Sequence, residues 1–398
     1  MIQPQSTLTL PPLDFQTWFE TVAKNQGTTL GAAMIVSIVI FWIMLPKARG
    51  GAGERKLTFG RASLILVMTA IATGVFVVAG YFAIRYFHQR VAAFFIPVGI
   101  CFWSLFVAQP LIIVIYSIIK KTFASLALGF SLLCLAVFVL FVEPSRLEVL
   151  RAELTIPTLP RGTIIKITHF TDLQTISLGE REIRALEASN AFQPDFVVIT
   201  GDLMACGPHP KVVEQTREWI NAIQSKTTVY LVNGDSDDDF DSLAAQFNNT
   251  TYLKDTGIEA TVAGAKLWIA GIDNKRRPGP PHPKYSLQNA PAGATRILLS
   301  HNPDRFFYDG DWKAELGFAG HTHGGQVKIP FYGAPVTFTK LGRLYSDGVF
   351  DKSTFHPEVP FKVDAFAVCA GLGMEGGYAP RVRFLRGPQV ILLTIKGE

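Results

Sequence analysis

Charge is scarce in this 398-residue chain: Asp, Glu, Lys and Arg make up only 17% of it, against about 25% in an ordinary soluble domain. The deficit is local. Residues 28–142 are almost free of acidic side chains, whereas the chain after Glu143 has ordinary globular polarity. A single average therefore covers two materials, an apolar third and a water-soluble remainder. Long Lys/Arg blocks are also missing, so the net charge of +5 leaves no nucleic-acid footprint. Cysteine is sparse too. Cys101 and Cys134 fall in apolar segments, where a thiol behaves as a small hydrophobe; a disulfide between Cys206 and Cys369 has no support from spacing.

Long hydrophobic runs, by contrast, are plentiful. Residues 28–45, 63–84, 91–119 and 122–142 are each apolar over the length that ~30 Å of hydrocarbon requires. The third is overlong and contains Pro110, which predicts a tilt, a kink or an early exit. The first lies too deep in the chain, and lacks a small-residue cleavage site, to serve as a signal peptide. Helices buried in a soluble bundle would need polar faces, which these segments lack. Membrane insertion is the expectation. Residues 13–23 mix aromatic and polar side chains and suit a short interfacial helix, an exposed helix or a disordered tail equally.

Orientation follows from Lys and Arg in the short loops. Lys47, Arg49, Arg55, Lys56 and Arg61 follow the first segment, and Lys120 and Lys121 separate the third from the fourth. The intervening loop has only Arg85 and Arg90, and the N-terminal tail only Lys24. Four spans then put both basic loops in the cytoplasm and both termini outside it.

In the polar part, strand-like segments recur, and several finish at a residue able to hold a metal. Residues 164–170 run into Thr171-Asp172, residues 196–200 into Gly201-Asp202, and residues 228–232 into Asn233-Gly234-Asp235. Residues 296–299 run into Ser300-His301-Asn302, and Phe318-Ala319 into Gly320-His321-Thr322-His323-Gly324-Gly325. Helical patterns at 180–192 and 210–223 separate the first three, so parallel pairing with right-handed crossovers is expected. Ligands in such sheets gather at the carboxyl ends of the strands. Crowded carboxylates repel one another, and a cation is their natural partner. Three Asp and three His suit Mn, Fe, Zn or Mg better than a thiol-loving ion. A pair of such ions can clamp a phosphate and activate a water.

Taken in order, these pieces resemble the calcineurin-like metallophosphoesterase family, whose signature is D-x-H, G-D, G-N-H-D/E, an isolated His, and G-H-x-H. Gly320–Gln326 in full, together with Gly371-Leu372-Gly373, Arg383-Phe384 and an apolar last strand at 390–395, looks like its bacterial membrane-associated branch. The resemblance covers about residues 161–398. It implies an α/β domain, a β-sandwich flanked by helices, that hydrolyses phosphomonoesters, phosphodiesters or pyrophosphates with two divalent ions. It further implies that Asp202 bridges both ions, that Asp172 and His323 hold the first, and that Asp235, His301 and His321 hold the second.

Three positions depart from the pattern; one is Asp235, which replaces the third motif's Asn, remains a good ligand and adds charge that partly offsets what Gln174 fails to give. Gln174 stands where the first motif has His; its amide oxygen is a weaker metal ligand. Ser236 stands where the third motif has the His credited with protonating the leaving group. Losing such a group costs ~10²–10⁴ in rate. Another residue, His209 or His282, takes over, or the leaving group is a good one, or the enzyme is slow. Asp237 matches the acidic fourth position and is grouped with Asp202 as catalytic. The run from Asp235 to Asp239 is not an EF-hand loop, because Phe240 and Gln246 occupy the positions that need Gly and Glu. His169 is expected to be structural. Lys275, Arg276 and Arg277, in a Pro-rich loop, are candidates for binding a substrate phosphate, with Arg343 and Arg383 weaker ones.

The expected organisation is a tail at 1–27, an α-helical membrane domain of about four helices at 28–142, a linker at 143–160, and the metallophosphoesterase domain at 161–398. The expected function is a membrane-anchored phosphohydrolase of a bacterial inner membrane, its C-terminal domain outside the cytoplasm and its phosphorylated substrate lipid-linked. The alternative is a catalytically impaired membrane protein that binds metal or a phosphorylated ligand.

Overall fold

A computed structural model describes residues 15–44, 57–87, 92–174, 178–204, 210–223, 227–237, 240–275, 282–308, 310–377 and 379–398. The chain divides into two compact units: a helical one (Phe15–Glu143 with Gly376–Val382) and a sheet-rich one (Pro144–Glu375 with Arg383–Glu398).

The helical unit contains α1 (Phe15–Met44), α2 (Phe59–Phe87), α3 (Ala92–Trp103), α4 (Gln109–Lys120) and α5 (Phe123–Val137). A π-helical turn, Ser104–Ala108, joins α3 to α4, so the third apolar segment is one long rod. Pro110 falls at the start of α4, directly after the π turn, and its missing N–H removes one bond from the continuous helix at that junction. The expected irregularity is thus a π turn beside the proline. The tail segment expected at 13–23 is part of α1 from Phe15 onward; Leu13 and Asp14 lie outside the described residues. Among the described residues, four stretches, Gln26–Met44, Phe59–Ala79, Phe95–Lys120 and Phe123–Ser145, are long and apolar enough to cross a membrane.

Polarity in this unit is inverted relative to a water-soluble bundle. Trp42, Ile43, Phe76 and Phe123 face outward, while Ser37, Thr69, Ser104, Gln109, Ser117 and Ser125 are buried. The Gln109 amide donates to the Ser37 carbonyl at 2.9 Å and to Thr69 Oγ1 at 3.1 Å; Ser125 Oγ donates to the Leu57 carbonyl at 2.9 Å. Interhelical polar bonds inside an apolar shell are what hydrocarbon surroundings favour.

The sheet-rich unit is a sandwich of two six-stranded sheets. The first has the order β1 (Glu148–Thr155), β12 (Gln389–Lys396), β2 (Ile164–Phe170), β3 (Phe196–Ile199), β4 (Thr228–Leu231), β5 (Thr250–Tyr252). The second has the order β10 (Gly348–Asp351), β11 (Val363–Val368), β9 (Ala314–Ala319), β8 (Thr295–Leu299), β7 (Ala265–Gly271), β6 (Thr256–Val262). β2, β3, β4 and β5 pair in parallel, as do β7, β8, β9 and β11. Ile165, Ile167, Phe196, Val198, Leu267, Ile269, Ile297, Leu299, Leu316 and Phe318 fill the space between the sheets. The outer face of the first sheet is covered by α6 (Glu180–Phe192), α7 (Pro210–Asn221) and α8 (Phe240–Ala244), through Leu186, Trp219, Ile220 and Phe240. The short α9 (Pro283–Leu287) and an aromatic cluster of Phe306, Trp312, Tyr345 and Phe366 cover the other.

The stretch 143–160, expected as a linker, is in part a strand. β1 pairs in parallel with β12 over its whole length, from Glu148↔Gln389 to Thr155↔Lys396. Leu150, Ala152 and Leu154 turn toward the sandwich core, with Arg151 and Glu153 on the other face. Burying that alternating face is worth more than leaving an open sheet edge.

Candidate metal centre

The two runs of parallel strands end on the same side, and every metal-capable residue of the sequence patterns sits just past a strand end. Asp172 follows β2, Asp202 follows β3, Asp235 follows β4, His301 follows β8, and His321 and His323 follow β9. The backbone there is strained. Asp172, Asp202, His321 and His323 all have positive φ (47°, 54°, 69° and 50°), and so does Gln174 at 29°. Non-glycine residues seldom adopt this region, and clusters of them mark functional loops. The glycines beside them are fixed by crowding. A Cβ on Gly234 would overlap Asp202 Oδ1, and one on Gly320 would overlap Thr171 Oγ1 and Asp172 Oδ2.

Two groups of ligand atoms converge. Asp235, His301 and His321 form one; Asp172, Asp202 and His301 form the other, the atoms of each lying within 4.8 Å of one another. His323 joins the second group through Asp172, its Nε2 standing 3.3 Å from Asp172 Oδ1. Asp172, Asp202, His301 and His323 are buried, whereas Asp235 is exposed. One position is therefore deep and the other opens to solvent.

Hydrogen bonds on the far ring nitrogens set the imidazole lone pairs. His301 Nδ1 lies 2.7 Å from the Thr200 carbonyl and must donate to it, which leaves Nε2 as the lone pair, 3.4 Å from Asp202 Oδ2. His321 Nε2 lies 3.2 Å from the Phe338 carbonyl, and its Nδ1 faces Asp235 Oδ2 at 3.0 Å. In neutral imidazoles these are acceptors facing acceptors. Asp172 Oδ1, His301 Nε2 and His323 Nδ1 are buried with no hydrogen-bond partner among the described residues. Only a cation or a trapped proton resolves such a set, and hard or borderline divalent ions suit its O and N donors.

The electrostatics agree. Burial, offset in part by His301, pushes the Asp172 carboxyl up to about 6. Burial also works against ionisation of Asp202, yet the charge and hydrogen bond of His301 hold its carboxyl below the ordinary range. Burial opposes charge on His301 and His321 as well, but Asp202 and Asp235 respectively hold their imidazoles above the usual range. His323 is driven well below it by burial and by the Arg383 guanidinium, so it stays a neutral ligand.

Other sequence expectations meet mixed outcomes. Asp237 is not placed to touch a substrate: its buried carboxylate accepts the backbone N–H groups of Asp202 (2.8 Å), Leu203 (2.9 Å) and Gly234 (2.8 Å). It positions two site loops. Gln174 turns its amide nitrogen toward Asp202 Oδ2 at 2.7 Å and donates to that carboxylate. Arg383 is fully buried and donates to the carbonyls of His323, Ala370, Gly371, Gly373 and Gly387; it braces the site and is closed to substrate. Arg343 stacks on Tyr332. His169 is structural, as expected: it is buried, bonded to Thr200 Oγ1 at 2.9 Å, and lowered to about 3 by burial.

Lys275 lies in a loop tied to the Asp235 segment. Asn233 donates to Asp273 and accepts from the Asn274 N–H, and the Lys275 N–H bonds Asp273. Arg276, Arg277, His209, Asp238, Asp239 and Cys206 lie outside the described residues. His282, the other expected substitute acid, caps α9, its Nδ1 accepting the Lys284 N–H at 3.1 Å. Two residues escaped sequence reasoning. Glu375 Oε2 accepts from Gln174 Nε2 at 2.9 Å, and Gln326 holds the Glu375 N–H through its side-chain oxygen.

Residues 165–325 match the family model of the calcineurin-like phosphoesterases. The uncharacterized metallophosphoesterase YkuE of Bacillus subtilis is 28% identical over 269 residues, 64% of this chain and 88% of that protein. A second from the same organism, YkoQ, is 25% identical over 241 residues, covering 57% and 84%. The UDP-2,3-diacylglucosamine pyrophosphatase LpxG of Chlamydia muridarum is 31% identical over 116 residues, 28% of this chain and 32% of LpxG.

Proposed function

We propose that this chain, which belongs to the calcineurin-like phosphoesterases through residues 165–325 and is a hydrolase of phosphorus esters, acts from a membrane anchor on an amphiphilic phosphoester or pyrophosphate with a two-ion centre. The observation that carries the reading is the set of lone pairs around Asp202, with His301, His321 and three carboxylates turned toward one another at the strand ends. Asp172, Asp202 and His323 would hold the deep ion, and Asp235, His301 and His321 the open one, with Asp202 between them. Divalent ions there supply Lewis-acid activation of water and neutralise charge developing on phosphorus.

The remaining work falls to the chain. Thr200, through its carbonyl, keeps His301 in the tautomer whose lone pair points inward. Asp237 fixes the loops bearing Asp202 and Asp235. Lys275, with Arg276 and Arg277, receives the substrate phosphate. Ser236 cannot protonate a poor leaving group, which favours a phosphoanhydride, whose departing phosphate needs less help. The apolar helices and the resemblance to a pyrophosphatase of an acylated sugar nucleotide support a lipid-borne substrate. The Lys and Arg of the short loops support an orientation with the sheet-rich unit on the outer side of a bacterial inner membrane.

The test uses the full chain in vesicles, loaded with Mn²⁺ and supplied with a diacyl pyrophosphate or with the same head group lacking acyl chains. Expected is a kcat/KM at least tenfold higher for the acylated compound. Equal values would remove the lipid-linked reading, and no turnover of either would remove the hydrolase reading for these compounds.

A further inference from the structure

Gln174 and Ser236, two of the departures from the family pattern, meet at one corner of the site. Gln174 Nε2 lies 2.7 Å from Asp202 Oδ2, 3.4 Å from Ser236 Oγ and 2.9 Å from Glu375 Oε2. The corner is therefore rebuilt rather than merely depleted, and Glu375 is its new member. We infer that Glu375 supplies the carboxylate on which the deep metal position depends, in place of the imidazole that Gln174 lacks. The inference rests on the two-ion reading above and names a residue that reading does not contain.

Three observations carry it. First, Asp202 Oδ2 and Glu375 Oε2 converge on one amide nitrogen, so two anionic oxygens are aimed at a single positively polarised point. Second, Glu375 is held from behind: Gln326 accepts its N–H at 2.5 Å and donates to its carbonyl at 3.3 Å. Gln326 has a φ of +53° and directly follows the His-Thr-His-Gly-Gly loop, so Glu375 is tied to the loop that carries His323. Third, the deep position still has an unmet donor, because Asp172 Oδ1 is buried with no hydrogen-bond partner among the described residues. Charge bookkeeping points the same way. Exchanging a neutral imidazole for a neutral amide loses a ligand, and an added carboxylate restores affinity for a hard divalent ion.

The experiment titrates Mn²⁺ into metal-free full-length protein in detergent micelles, by calorimetry, with electron paramagnetic resonance of each loaded sample. Wild type, Glu375→Gln and the double variant Glu375→Gln/Gln174→His are compared. The isosteric amide introduced by Glu375→Gln can still accept from Gln174, so the corner stays packed, and an unchanged thermal midpoint verifies it. Wild type should take two ions and show an exchange-coupled two-manganese spectrum. Glu375→Gln should bind the deep ion ~10–100-fold more weakly, with the open ion unchanged and the coupled spectrum replaced by that of a single ion. The double variant should regain both ions. Two ions at unchanged affinity in Glu375→Gln would overturn the inference and leave the two-ion reading standing. A wild type that takes one ion or none would overturn both.

Discussion

Asp202→Ala should bring hydrolysis of bis(p-nitrophenyl) phosphate by the Mn²⁺-loaded protein down to the background of an EDTA-treated sample. Removing a single donor to a developing anion costs ~10²–10³ in rate, and Asp202 is asked for more than that. Its Oδ2 stands 3.4 Å from the His301 lone pair, and its Oδ1 takes the Ser236 N–H at 2.8 Å. It is the carboxylate common to both ion positions in the proposed scheme, so its loss weakens both ions together. Asp202→Asn keeps an acceptor for the Ser236 N–H and serves as the control for folding. Both variants should lose turnover, with Asp202→Asn melting near wild type. Turnover within tenfold of wild type in either would contradict the role given to Asp202.

Asp237→Ala should cost stability instead, about 3–5 kcal/mol in all, because three backbone N–H donors, from Asp202, Leu203 and Gly234, end on its carboxylate. Alanine leaves all three buried and unsatisfied, each near the lower end of the about 1–3 kcal/mol such a group costs. For a unit of this size the thermal midpoint should fall by roughly 10 °C. Asp237→Asn should fall less. Both Asp202 N and Gly234 N bond Oδ2, so an amide oxygen there keeps two of the three bonds. A midpoint within about 2–3 °C of wild type for Asp237→Ala, by differential scanning calorimetry, would show that Asp237 does not hold these loops.

Much of this architecture was legible in the residues. The segment 164–170 is β2 and 180–192 is α6, because period-2 and period-3.6 patterns there run between clear breakers. The strand ends were readable as well, since Gly-Asp and Gly-His pairs mark places where the backbone turns tightly against a neighbour. What was hidden depended on contacts distant in sequence. β1 alternates Leu150, Ala152 and Leu154 with Arg151 and Glu153, a face that has meaning only once β12, more than two hundred residues later, lies beside it.

The site divides in the same way. Residue types announced Asp172, Asp202, Asp235, His301, His321 and His323, because few other uses explain five such motifs in order. Orientation could not be announced. That Gln174 presents nitrogen to Asp202, that Asp237 is used up by backbone donors, and that Arg383 is sealed among carbonyls are facts of packing. Glu375 carried a faint signal, an acid within the run Gly371–Gly377, but nothing in the sequence tied it to Gln174.

Hydrolysis of a phosphorus ester at this site depends, in the proposed scheme, on two ions held around Asp202. The most direct measurement adds Mn²⁺ stepwise to metal-free protein, reading bound metal per chain and bis(p-nitrophenyl) phosphate turnover on the same samples. The account predicts turnover that is slight at one ion, climbs with the second and levels off at two. Turnover that stays at the metal-free background while two ions bind, or that is complete with one ion bound, would contradict it.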